Sequence, residues 1–214
     1  MKLKLFTTVF TALTLASGLA VACMTEGRGA PHFNGGGWVA DTARVEDNAY
    51  VGPGAVVCEN AKVFAPAIIS DNASVAGNAV IRGNSSILDT ARVRGNARVI
   101  NAMVVGGEVY GNAKILNKAR VDDSRAKVYG DAKVEGANTH VSEYAEVFGT
   151  AVVRGSVIRG YAKIDCGRWI GVKVFDDKTG QCGRNGQDKN SSSENLGGVL
   201  SNPISDGNTQ SEAN

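Results

Sequence analysis

From Ala43 the chain repeats a six-residue unit: a small residue, a variable one, an aliphatic one, then three polar or turn-forming positions. Ala43-Arg44-Val45, Ala49-Tyr50-Val51, Ala55-Val56-Val57, Ala61-Lys62-Val63 and Ala67-Ile68-Ile69 set the register, which runs unbroken to Ala97-Arg98-Val99. Side chains alternate along an extended strand, so the first and third residues of each triplet share one face. Asp47-Asn48, Pro53-Gly54, Asp71-Asn72, Gly77-Asn78, Gly83-Asn84 and Gly95-Asn96, which lie between the triplets, tolerate a tight or left-handed backbone. Each unit therefore predicts one short strand and one corner.

The Ala/Val face of one unit is too small to be buried alone, so the units must stack as rungs around a thin dry core. Past Val99 the inward positions continue at Val104, Val109, Ile115, Val121, Val128, Val134, Val141, Val147, Val153, Ile158 and Ile164. The occasional steps of five and seven residues among them read as corner deletions and insertions. A pentapeptide solenoid would keep a shorter period, and the calcium-binding nonapeptide repeat needs Gly-Gly-x-Gly-x-Asp runs that do not occur. The density of Gly, Asn and β-branched residues excludes helical repeats. The pattern predicts an all-β solenoid of about twenty rungs.

Val51-Gly52-Pro53-Gly54-Ala55-Val56-Val57 resembles the left-handed parallel β-helix of hexapeptide-repeat proteins. More narrowly, Asn34-Gly35-Gly36-Gly37-Trp38-Val39-Ala40-Asp41-Thr42-Ala43, followed by repeated Gly-Asn-Ala-x-Val, is similar to the YdcK-like β-solenoid repeat family. The resemblance covers about residues 34–166 and implies a single-stranded, left-handed parallel β-helix with three rungs per triangular turn. That makes about seven turns, a rod roughly 30 to 35 Å long. An open solenoid end exposes a sheet edge that invites polymerisation. Trp38 is placed to plug the N-terminal mouth, and Trp169 to Gly180, with Cys166 and Cys182 on either side, reads as a cap. The expected organisation is a signal peptide at 1–22, a linker at 23–37, the solenoid at 38–166, a cap at 167–182 and a disordered tail at 183–214, where Gly, Asn, Ser, Asp and Gln dominate.

Lys2 and Lys4 followed by an apolar run ending in Ala20-Val21-Ala22 form a secretory signal pattern. Export to the periplasm, outer membrane or cell surface is the expectation. Cys23 follows the cleavage pattern and is a lipidation candidate as well as an ordinary mature terminus, so a membrane would be met only through that anchor. Removing residues 1–22 takes two lysines and no acids, leaving 21 Lys+Arg against 21 Asp+Glu. No nucleic acid is expected as a partner of a chain so balanced. In an oxidising compartment Cys166 and Cys182 are the expected disulfide. Cys58 is left either free or paired with Cys23.

Chemistry is sparse. His140, between Val134 and Val141, lies at an irregular step, where hexapeptide acyltransferases carry a corner histidine as general base. It is the only catalytic candidate, and the plainer reading is a solvated corner residue. His32 and His140 cannot supply the three histidines of a carbonic-anhydrase zinc site, and Gly35-Gly36-Gly37 lacks the Lys-Ser/Thr of a phosphate loop. Neither a metal nor a cofactor is expected. The outward positions say more. Counted at three rungs per turn, one face presents Arg44, Lys62, Arg82, Arg98, Lys114, Lys133 and Arg154, and another presents Tyr110, Tyr129 and Phe148. Arg120 and Lys163 fall on the other faces. A basic strip beside an aromatic ladder suits an anionic surface or cell-wall glycan. The expectation is an exported, non-catalytic binding or structural protein, with an acyltransferase-like enzyme as the alternative and homo-oligomerisation left open.

Overall fold

The computed structural model describes residues 28–175 and the backbone of Thr179–Gly180. It is all-β, and three parallel sheets wrap a triangular solenoid of about eight turns. Sheet A has ten strands, from Gly29–Pro31 and Trp38–Ala40 through Val56–Val57, Arg92–Val93 and Lys127–Val128 to Thr179–Gly180. Sheet B has eight, Arg44–Val45 to Arg168–Ile170, and sheet C has eight, Tyr50–Val51 to Lys173–Val174. Each strand pairs in parallel with its counterparts one turn before and after, as Val99 does with Ile81 and Ile115. Only Gly29–Pro31 runs antiparallel, against Trp38–Ala40 at the N-terminal edge.

The inward positions read from the period form one continuous core. Val51, Ile69, Ile87, Val104, Ile115, Val128, Val141, Val153 and Ile164 are all fully buried, with alanines filling the narrow corners. Each such aliphatic side chain contributes about 1.5–3 kcal/mol by leaving water. At three corners a buried hydroxyl satisfies backbone groups. Ser85 Oγ donates to Arg82 O at 2.6 Å, Thr139 Oγ1 accepts from Gly155 N at 2.6 Å, and Ser156 Oγ donates to Trp169 O at 3.0 Å.

The corner between sheets A and B is the most regular. Gly77, Gly95, Gly111, Gly130 and Gly149 stack there, all with φ between 58° and 71°. Beside them Asn78 Nδ2 donates to Asn96 Oδ1, Asn96 to Asn112 and Asn112 to Asp131, at 3.2, 3.1 and 2.9 Å. Backbone pairing continues round the bend, as Asn96 N donates to Gly111 O at 2.8 Å.

Both ends differ in detail from expectation. Trp38 occupies an outward position on sheet A, beside Val56, and packs with Ala40, Val56, Cys58 and Ala76 outside the solenoid. It does not plug the mouth. The loop at 32–37 runs over the edge of the Tyr50–Val51 strand instead, with Gly37 N donating to Val51 O at 2.8 Å. At the other end, Arg168–Ile170, Lys173–Val174 and Thr179–Gly180 continue the three parallel sheets, which adds the turn that a count ending at 166 leaves out. Trp169 stands at the inward position below Val153 and packs on the core. Cys58 and Cys166 are both disulfide-bonded. Cys23, Cys182, the signal segment 1–22 and the tail lie outside the described residues.

Candidate functional site

Sheet B carries the basic residues. In register along its outer face stand Arg44, Lys62, Val80, Arg98, Lys114, Lys133, Val152 and Arg168, each beside the next. All seven basic residues expected on one face are on this sheet, but in two columns. Arg82 and Arg154 stand just after the inward residue of their strands, where Val80 and Val152 hold the first column. Arg168, assigned to a cap by the sequence reading, adds a cation at the last turn. Every one of the eight strands thus bears one Lys or Arg.

Among the described residues only Lys133 of these eight makes an ion pair, to Glu135 at 2.8 Å. Glu46, the other carboxylate in the strip, accepts a hydrogen bond from Ala65 N at 2.9 Å. Arg98, Lys114 and Lys133 are direct ladder neighbours. Like charges placed so are destabilising.

Sheet A makes the opposite arrangement with the same geometry. Its outward column reads Arg92, Glu108, Lys127, Glu146, Lys163, alternating in sign at every turn. Arg92 meets Glu108 at 3.4 Å and Lys163 meets Glu146 at 3.9 Å. Arg120 lies on sheet C, paired with Asp122 at 3.2 Å.

Tyr110, Tyr129 and Phe148 form a ladder on sheet A that flanks the Gly-Asn corner opposite Lys114 and Lys133. Their rings stack nearly parallel, with centroids 4.8 and 5.0 Å apart, and Arg94 covers the outer face of Tyr110 at 4.6 Å. Both faces of Tyr110 and of Tyr129 are covered, so a ligand lying along the solenoid meets their edges. Tyr129 also donates to Glu146 at 2.9 Å. Burial first, and that bond second, push its pKa well above the ordinary tyrosine value. A raised folded-state pKa gives stability that is present below about pH 10 and lost as pH climbs through the folded value. Chemical denaturation across alkaline pH should therefore show stability falling above about pH 10, and Tyr129→Phe should flatten that fall.

A second ladder was not legible. Arg125, Tyr144 and Tyr161 stack at the corner between sheets C and A, with Arg125 and Tyr161 4.6 Å on either side of Tyr144. The recurrence of Tyr-Ala before the outward residue, in Tyr144-Ala145-Glu146 and Tyr161-Ala162-Lys163, was the available signal.

His140 is not a corner residue. It is the outward residue of the strand His140–Val141 on sheet C, in line with Arg120 and Val157. Its Nε2 contacts the Asp122 carboxylate, which Arg120 also holds. The seven-residue step before Val141 is absorbed earlier, around Thr139. A corner base of the acyltransferase kind is therefore not formed by this residue. Comparison with known families, curated proteins and solved structures finds no match for the chain.

Proposed function

We propose that the protein is an exported, non-catalytic β-solenoid that binds a linear anionic glycan of the cell envelope along sheet B. One observation carries this reading. The same rung geometry holds an alternating charge column on sheet A and a column of cations on sheet B. Solubility alone would be served as well by alternation on both, and in-register repulsion has a cost that an anionic ligand offsets. Export rests on the sequence of residues 1–22. The finer assignment, a hexapeptide-repeat coil of the YdcK-like kind, rests on the Gly-Asn-Ala-x-Val units and the Asn34–Ala43 segment.

The test is binding of the mature protein to anionic and neutral glycans. Exposed ion pairs contribute about 0.2–1 kcal/mol each, so Arg98→Gln with Lys114→Gln should weaken binding roughly 2- to 30-fold. The loss should shrink as salt rises, because such fields decay over about 8 to 10 Å at physiological ionic strength. Arg120→Gln with Lys163→Gln, on the other sheets, should change little. Equal losses from both pairs would mean diffuse attraction without a site.

A further inference from the structure

We infer that the ligand of sheet B is an extended polyuronate, a glycan with one carboxylate on every sugar, lying parallel to the solenoid axis with one sugar per turn. The inference rests on the proposed function and narrows it. The sheet has eight strands, and each contributes one cation. Neighbouring strands are about 4.8 Å apart, so the cations recur at that interval over roughly 34 Å. An extended chain of six-membered sugar rings advances by close to one strand spacing per sugar. A carboxylate on each sugar then supplies one negative charge per strand spacing along the axis. Polyphosphate sets its charges more densely than the turns set the cations, and a glycan charged on alternate sugars would leave half the cations unmatched.

Orientation follows from the same layout. A chain running along a strand would meet one cation before reaching a corner, whereas a chain along the axis crosses all eight strands and meets all of them. Recognition by spacing also fits the neighbouring ladder, where Tyr110 and Tyr129 stack face to face and offer no open ring face to a sugar. The exposed amides of Asn78, Asn96 and Asn112 follow the same repeat at the adjoining corner. Each spends one N–H on its neighbour, which leaves a second for a sugar hydroxyl. The track is uneven in two respects. Arg82 and Arg154 stand one column aside, Arg82 with its guanidinium held 5.2 Å over the Phe64 ring of the preceding turn, and Lys133 is shared with Glu135.

The experiment is calorimetric titration of the intact mature protein with oligouronates from the disaccharide to the dodecasaccharide. Methyl-esterified oligomers and polyphosphates of equal charge serve as comparisons. Affinity should rise roughly 1.5- to 5-fold with each added sugar, and the rise should flatten once the oligomer spans the eight strands. Esterification should abolish binding, and polyphosphate should bind more weakly than the oligouronate of the same charge. Lys114→Gln should lower affinity for long oligomers and remove the step gained on crossing its turn. Saturation at two or three sugars, or polyphosphate binding as tightly as oligouronate, would overturn the one-sugar-per-turn reading while leaving a polyanion site on sheet B. Failure of every polyanion to bind would overturn both.

Discussion

Ile69→Ala should destabilise the solenoid by about 2–5 kcal/mol, whereas Ile68→Ala, one residue earlier, should stay within about 0.5 kcal/mol. The two side chains are the same and share a strand, but Ile69 is fully buried and Ile68 is 41% exposed. Ile69 faces Val51 above and Ile87 below in the ladder, so truncation opens a void between three consecutive turns. Nothing in a thin core of single side chains can slide in to fill it. For a chain of this size the melting temperature should drop by roughly 4 to 20 °C for Ile69→Ala. In a stacked repeat each turn touches only its neighbours, so the loss should appear first as local opening around that turn. Hydrogen exchange would locate it. Similar losses from both variants would mean that the inward register is wrong.

That register is the part of the fold most legible in the sequence, for a physical reason. An inward position must be aliphatic at every turn, so the lumen writes a strict period that survives the shortened and lengthened corners. The outer surface writes no such rule. Both the residue before and the residue after the inward one meet solvent, and hydrophobicity does not distinguish them. The sequence therefore put Arg82 and Arg154 on the correct face but in a single column with Arg98 and Lys114, where pairing shows two columns. The ends were harder still. Trp38 and Trp169 look alike in sequence, but their places depend on strand phase. Trp169 pairs with the inward Val153 and enters the core, while Trp38 pairs with the outward Val56 and stays outside. Counting the chain from Arg168 as a cap rather than a turn concealed both an eighth turn and the eighth cation of sheet B. The seven-residue step before Val141 suggests a corner at His140, whereas the strand begins there.

The corner glycines connect this architecture to the proposed site, and Gly111→Ala should show it. Gly111 has φ +70°, a conformation that costs an L-residue about 1–2 kcal/mol, and a Cβ there would stand 2.9 Å from Gly130 N and 3.1 Å from Gly130 O. Those neighbours are backbone of the next turn and are held by the ladder, with Asn112 N donating to Gly130 O at 2.8 Å. The strain and the contact add, and the expected loss is about 2–4 kcal/mol. Gly36→Ala separates the two effects, because Gly36 has φ +78° with nothing within 4 Å of an added Cβ. Its cost should be the strain alone, about 1–2 kcal/mol. Urea denaturation of the two variants measures the difference, and equal losses would show that the turns can spread without penalty. Gly111 also stands three residues before Lys114, at the corner that fixes how closely the turns bearing Arg98, Lys114 and Lys133 approach one another. If a ligand reads that spacing, Gly111→Ala should weaken long polyanions more than short ones under conditions where the variant remains folded. A uniform loss at all lengths would separate the corner from the site.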